Sequence, residues 1–272
     1  MPELPEVETI KNDLEPHLVG RRFSDVALFW PDVVSWPSPE ELVRRLPGQR
    51  AKKLERRGKY LIFELSSGHS LIIHLKMSGN LLLNPDEDGP YIRASFKFDD
   101  GTRLVFADRR KLGRIWLVAD KEEVVKKLGP EPLHPAFTPQ VLAQRLSRRP
   151  GPIKAVLLDQ GALAGLGNMY ADEALFEAGL HPLRPASSLS AEEVERLHRA
   201  IRQVLSSAVG NRGASTDSYV DAQGQKGTAH FQFKVAHRRG GACPRCRTPI
   251  ERLALRNRGT YFCPRCQKGP RL

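Results

Sequence analysis

CPRCRTPIERLALRNRGTYFCPRC, residues 243–266, holds all four cysteines of the 272-residue chain in two CxxC knuckles, Cys243-Pro244-Arg245-Cys246 and Cys263-Pro264-Arg265-Cys266, sixteen residues apart. A CxxC turn aims two thiolates at one ion, and four sulfurs close a tetrahedral shell that leaves no open position for chemistry. The spacing therefore predicts a zinc ribbon, with one structural Zn2+ held by Cys243, Cys246, Cys263 and Cys266. Two disulfides are the alternative; they suit a secreted chain better than one that opens without a basic-then-apolar leader. Residues 250–256 and 260–262 read as short strands joined by the turn Asn257-Arg258-Gly259, which sets Arg258 at the tip of a metal-pinned hairpin. A guanidinium there is shaped to grip a phosphate, while a solvated turn arginine is the plainer reading.

Outward from the hairpin the chain stays basic. Between Lys234 and Arg271 eleven Lys or Arg face one acid, Glu251, a surplus of ten within a net charge of +12. A confined basic region favours a polyanionic partner, and nucleic acid comes ahead of an anionic membrane because no basic amphipathic helix stands out. A hydrophobic content of 40% is that of a globular chain with a core, which excludes disorder. No run of eighteen apolar residues occurs, so a membrane span is not predicted and a cytoplasmic location is expected.

At the other end, Met1 is followed by Pro2-Glu3-Leu4-Pro5-Glu6-Val7-Glu8. Removal of the initiator methionine would expose a secondary amine whose pKa, roughly 7.7–8.0 for an α-amino group, leaves a useful neutral fraction near physiological pH. Such an amine is a nucleophile, and Glu3 beside it is a proton donor or acceptor, the usual pairing in covalent catalysis. The bland reading is a helix start: Pro5 suits the first helical position, acids suit the first turn, and Val7, Ile10, Leu14 and Leu18 follow at helical spacing.

After that helix the first half is strand-like, with short runs at 60–65, 71–75, 94–98 and 104–107 and a hairpin turn at Asp99-Asp100-Gly101. An antiparallel sandwich or barrel follows. Its loops carry Arg56-Arg57-Gly58-Lys59, His74-Leu75-Lys76-Met77-Ser78-Gly79 and Asp108-Arg109-Arg110-Lys111-Leu112-Gly113, which offer cations for phosphates beside apolar side chains able to wedge between bases. Beyond the linker His134-Pro135-Ala136-Phe137-Thr138-Pro139 the pattern turns helical at 141–146, 153–158, 169–178 and 191–209, the last opened by the capping box Ser190-x-x-Glu193. Ala164-Gly165-Leu166-Gly167-Asn168 joins two of these helices, either as a close-approach anion loop or as a simple helix C-cap.

Together these motifs make the chain resemble, from end to end, the bacterial formamidopyrimidine-DNA glycosylases of the Fpg/Nei family. The carriers are PELPEVET at the start, RRGKY at 56–60, HLKMSG at 74–79, DRRKLG at 108–113, GLGNMYADEALF at 165–176 and RGTYFCPRCQ at 258–267. The Glu-Leu-Pro start favours the formamidopyrimidine branch over Nei-type relatives, which usually read Glu-Gly-Pro. The resemblance implies an α+β multidomain protein: a catalytic antiparallel β-sandwich flanked by helices over residues 1–133, a helix-two-turn-helix DNA-binding domain with a base-covering loop over 134–232, and a zinc finger over 233–272. It implies a monomer whose partner is double-stranded DNA containing oxidised bases or abasic sites.

By the same resemblance Pro2 would attack C1′ of a damaged nucleoside, expel an oxidised purine and leave a Schiff base that β- and δ-elimination resolve, while Glu3 protonates the sugar ring oxygen. Glu6 would support the site. The resemblance puts Lys59 and Arg258 with Pro2 and Glu3 in the catalytic set; Lys59, Asn168 and Arg258 would hold the flanking phosphates, and Met77, Arg110 and Leu112 would fill the space left by the extruded base. His74, Lys111, Lys154 and Gly167 complete the DNA-contacting set. Leu112 stands where the family commonly has Phe, so stacking on the opposite strand would be weaker. A Nei-like enzyme for oxidised pyrimidines and a non-catalytic DNA-binding homologue are the alternative readings.

Overall fold

The computed structural model describes residues 1–85 and 89–269, so Arg271 of the basic region lies outside the described residues. The chain folds as two compact units, Met1–Lys126 with Asn211–His230 and Lys127–Gly210 with Phe231–Leu272. Residues 211–230 thus pack with the N-terminal unit although they follow the helical segment in sequence.

The first unit opens with α1 (Leu4–Leu18), whose Leu4, Val7, Ile10, Leu14 and Leu18 are completely buried on one face. Leu4, not Pro5, is its first residue. Then come β1 (Phe23–Leu28), β2 (Val34–Trp36), α2 (Pro39–Arg45), β3 (Ala51–Arg57), β4 (Tyr60–Leu65), β5 (Ser70–His74), β6 (Gly79–Leu83), β7 (Ile92–Phe98), β8 (Arg103–Asp108), β9 (Arg114–Val118) and α3 (Glu122–Val125). One sheet has the order β2-β9-β5-β4-β3 and the other β1-β7-β8-β6; every pair is antiparallel except β2 with β9. Alternate residues of both sheets, among them Leu61, Phe63, Leu71, Ile73, Phe96 and Phe106, meet the apolar face of α1 in one core. Phe23 touches Phe63 of the facing sheet edge-on, with centroids 6.2 Å apart.

The four runs read as strands are β4, β5, β7 and β8, with the 99–101 turn between the last two. β3, AKKLERR, escaped the pattern because only Ala51 and Leu54 are buried and a register shift after Ala51 breaks the period of two. It is an edge strand, where charge on the sheet rim is normal.

The second unit contains α4 (Pro139–Ser147), α5 (Ile153–Leu157), α6 (Asn168–Ala178), α7 (Ala191–Gly210) and the hairpin β10 (Glu251–Leu255) with β11 (Arg258–Phe262). The capping box at the start of α7 is formed: Glu193 N donates to Ser190 Oγ and Ser190 N to Glu193 Oε2. The hairpin turn differs by one residue from the sequence expectation. Leu255 pairs with Arg258, so the two-residue turn is Arg256-Asn257, at φ +48° and +61°, as a type I′ turn requires. Arg258 is therefore the first residue of β11. No helix among the described residues is long and apolar enough to cross a membrane.

Candidate functional site

In the first unit the sheet register gathers the loops. Tyr60 pairs with His74 and His74 with Arg114, so the β3–β4 turn, the loop after β5 and the loop before β9 emerge from one end of the five-stranded sheet. Lys59 sits in the two-residue turn between Arg57 and Tyr60, where Gly58 at φ +59° takes the conformation that a side chain resists. Although it occupies a hairpin tip, Lys59 is only 5% exposed. The start of α1 is strapped to this turn: Arg56 Nε donates to Glu8 Oε2, and Arg56 Nη1 donates to the carbonyl of Gly58 at 3.0 Å.

At the start of α1, Pro2, Glu3 and Glu6 are all buried. The Glu3 backbone N–H donates to Glu6 Oε2 at 2.7 Å, closing the first turn in the manner of a capping box. The other oxygen, Glu6 Oε1, accepts from Ala214 N at 2.8 Å. Glu6 thereby ties the N-terminal turn to segment 211–230.

His74 is buried at the end of β5, its ring edge-on to Tyr60. Its Nδ1 accepts the Lys76 amide at 2.9 Å, which leaves the proton on Nε2. Burial, then the nearby charges of Lys76 and Lys59, push its pKa down to about 3, so the imidazole is a neutral N–H donor near pH 7.

The two loops that carry Met77 and Leu112 are joined through Asp108, a residue to which its sequence motif gives no role. Its buried carboxylate accepts Ser78 Oγ at 2.5 Å, Arg110 N at 3.1 Å, and Leu112 N and Gly113 N at 2.7 Å each. One side chain so fixes the 109–113 loop and ties it to the Met77 loop. Gly113 is required by packing, because a Cβ there would lie 2.3 Å from the Phe106 ring. Met77 is 39% exposed and Leu112 37%, so both project apolar side chains outward rather than filling the core. Arg110 and Lys111 are exposed, and Lys111 lies over the Trp30 ring, 3.7 Å from its centroid.

In the second unit the residues meet around Gly259. Asn168 Nδ2 donates to its carbonyl at 3.0 Å, and Lys154 Nζ donates to the same oxygen at 3.1 Å and to Thr260 Oγ1 at 2.9 Å. Contrary to the expectation of a DNA contact, the Lys154 side chain is completely buried and its ammonium pairs with Asp172 Oδ1 at 2.7 Å, so it braces the hairpin and has no surface to offer DNA. Asp172 Oδ2 also accepts Tyr261 N at 3.1 Å, and burial pushes this carboxyl up to about 7 against the opposing pull of the Lys154 charge. Arg258, one residue before Gly259, is exposed. Gly167 is the N-cap of α6 rather than a C-cap, with Asn168 as the first helical residue.

The four cysteine sulfurs lie within 4.8 Å of one another and none is in a disulfide. A tetrahedral zinc with bonds of about 2.3 Å separates its sulfurs by roughly 3.8 Å; Cys243 and Cys266 are 3.9 Å apart, Cys246 and Cys263 3.5 Å. The donor set fits one structural Zn2+, and it replaces the disulfide alternative. The knuckles are docked on α6: Arg245 Nη1 donates to the Phe176 carbonyl, Gln267 links Cys263 N to the Leu180 carbonyl, and the Glu173 carboxylate accepts the amides of Lys234, Val235 and Ala236. Asp172 and Glu173 stand next to each other inside a motif already quoted; two acids on an otherwise buried helix were the signal that could have assigned them.

Comparison with known proteins agrees along the whole chain. Residues 1–115 match the formamidopyrimidine-DNA glycosylase N-terminal domain, 128–219 the formamidopyrimidine-DNA glycosylase H2TH domain, and 240–269 the zinc finger found in FPG and IleRS. The chain is 48% identical to the formamidopyrimidine-DNA glycosylase of Symbiobacterium thermophilum, covering 99% of this chain and 90% of that one, and 45% identical to that of Chloroflexus aggregans, covering 98% of each. The crystal structure of the MutM (Fpg) protein from Thermus thermophilus superposes with a TM-score of 0.90 at 41% identity over 99% of this chain and all of that one. A Lactococcus lactis Fpg complexed with N7-benzyl-Fapy-dG DNA gives 0.91 at 34% identity over 98% and 100%. On sequence, fold and metal ligands alike, the chain belongs to the formamidopyrimidine-DNA glycosylase family.

Proposed function

We infer that the protein is a base-excision repair enzyme, a DNA glycosylase with abasic-site lyase activity, and that its preferred lesions are oxidised purines. The observation that carries this reading is the gathering, at one end of a rigid sheet, of the Lys59 turn and the loops of Met77 and Arg110–Leu112, with the Pro2–Glu3 turn strapped alongside through Glu8 and Arg56. Two exposed apolar side chains on mutually braced loops suit filling the gap left by a flipped nucleotide. The family relatives support the lesion class, since Lactococcus lactis Fpg is complexed with DNA containing Fapy-dG or an abasic site.

The chemistry requires removal of Met1, because the Met1–Pro2 peptide makes the nitrogen an amide without nucleophilic electrons. The freed Pro2 amine attacks C1′ of the damaged nucleoside. The bond to the base breaks as its electrons leave with the purine, and Glu3 protonates O4′ so that the sugar ring opens to an iminium. The iminium acidifies the C2′ proton, β-elimination releases the 3′ phosphate, and δ-elimination releases the 5′ phosphate. Lys59, Asn168 and Arg258 hold phosphates, His74 donates to one through Nε2, and the chain acts as a monomer on duplex DNA in the cytoplasm.

Borohydride trapping on a duplex with 8-oxoguanine opposite cytosine, followed by mass spectrometry of the cross-linked peptide, tests the reading. An adduct on Pro2 is expected. Trapping with thymine glycol but not 8-oxoguanine would move the protein to the Nei-like class, and binding without any adduct would leave only a DNA-binding scaffold.

A further inference from the structure

Segment 211–230 is fastened to α1 by more than Glu6. Arg212 holds the left-handed φ of +56°, a strained backbone state for a non-glycine residue that persists only where the surroundings enforce it. Its guanidinium is clamped between two carboxylates. Nη2 lies 2.8 and 2.7 Å from the two oxygens of Asp13 on α1, while Nε and Nη2 lie 3.0 and 2.6 Å from Asp221 Oδ2. Asp221 is 1% exposed, and its other oxygen accepts the amides of Gln223 at 3.0 Å and Gln225 at 2.8 Å. Asp13 Oδ2 also takes the Ala222 amide. One arginine therefore fixes both limbs of the segment to the helix whose N-cap is Glu3.

We propose that Arg212, bridging Asp13 to Asp221, is a positioning residue for base excision: it holds segment 214–228 in register with the Pro2–Glu3 turn, so that an extruded base is seated while its sugar is attacked. The proposal rests on the function inferred above. Three features of the segment fit it. Tyr219 and Ala222 are anchored in the sandwich core, Asn80 of β6 pairs with the Val220 amide and the Ser218 carbonyl, and Glu6 connects Ala214 N to Glu3 N. By the family resemblance this segment covers the extruded base, and an abasic site has no base to cover. Loosening the clamp should therefore slow excision selectively, a split that a general loss of stability does not produce.

The test is a pair of single-turnover measurements on otherwise identical duplexes, excision of 8-oxoguanine opposite cytosine and cleavage of a preformed abasic site. Arg212→Ala is expected to slow excision about tenfold while abasic cleavage stays within about twofold of wild type. Asp13→Asn, which keeps the Arg212–Asp221 pair and guards against a variant that does not fold, should shift the ratio in the same direction by about threefold. Equal losses in both reactions, or unchanged rates in both variants, overturn the proposal. A wild-type chain that excises no 8-oxoguanine fails before any variant is compared, and overturns the functional reading itself.

Discussion

Arg56 and Glu8 form a mostly desolvated pair, 8% and 24% exposed, that joins two sequence motifs lying 48 residues apart. The second arm of the guanidinium holds the Gly58 carbonyl, so the helix that follows Pro2 and the turn that bears Lys59 share one fork. Charge-assisted hydrogen bonds of this kind contribute about 1.5–3 kcal/mol, and Arg56→Ala is expected to lose about that much stability along with at least about tenfold in the rate of Schiff-base trapping. Arg56→Lys keeps a charge for Glu8 but cannot fork, so its melting temperature should stay near wild type while trapping slows. A lysine variant that traps at the wild-type rate would remove the need for the second arm.

Asp108 is expected to be among the costliest single changes in the sandwich. Asp108→Asn replaces one acceptor oxygen by a donor that faces other donors, against the Ser78 hydroxyl or the Leu112 and Gly113 amides. Leaving such groups unsatisfied costs about 1–3 kcal/mol each, so a loss of about 2–4 kcal/mol in chemical unfolding should accompany weak excision. Wild-type stability in this variant would mean that the loop holds itself.

His74 sets a pH dependence whose sign is fixed by its environment. The unfolded chain takes a proton on this ring near the ordinary 6.5, while the folded protein resists until about 3. The stabilisation is complete above pH 6.5 and is lost as pH falls towards 3, by up to about 1.4 kcal/mol per unit. Comparing His74→Gln with wild type in urea melts between pH 7 and 4 should show the variant gaining relative stability on acidification. A constant difference across that range would contradict the buried, neutral imidazole.

The zinc hairpin, the α7 cap and the apolar face of α1 were legible because each rests on a local pattern of spacing or periodicity. What was not legible arises from contacts between distant residues. Lys154 looks like any basic DNA contact until Asp172 and the Gly259 carbonyl are found around it. Asp108 reads as a charge at a strand end, and nothing in its neighbours announces four inward donors. Arg212 and Asp13 are separated by 199 positions, and only the fold brings them together. The turn at 256–257 was missed by one residue because Asn-Arg-Gly contains the stronger turn formers, while pairing of Leu255 with Arg258 decided the register.

Zinc removal should act on DNA binding through Arg258. Cys263 directly follows β11, so its sulfur anchors the strand that presents Arg258 at one end and the metal at the other. Lys154, Asn168 and Asp172 grip the middle of that strand, β10 pairs with its end through Glu251 and Phe262, and the metal would join Cys263 to the other knuckle. Cys263→Ser is expected to lose its zinc by metal analysis and at least about tenfold in affinity for a duplex carrying an abasic-site analogue. The first unit has its own core and should keep its fold. Because each phosphate contact contributes about 0.9 to the slope of log affinity against log salt, loss of the Arg258 contact should flatten that slope by about the same amount. An unchanged slope with lowered affinity would mean that the finger aids binding without touching a phosphate, and unchanged affinity in the metal-free variant would end its structural role.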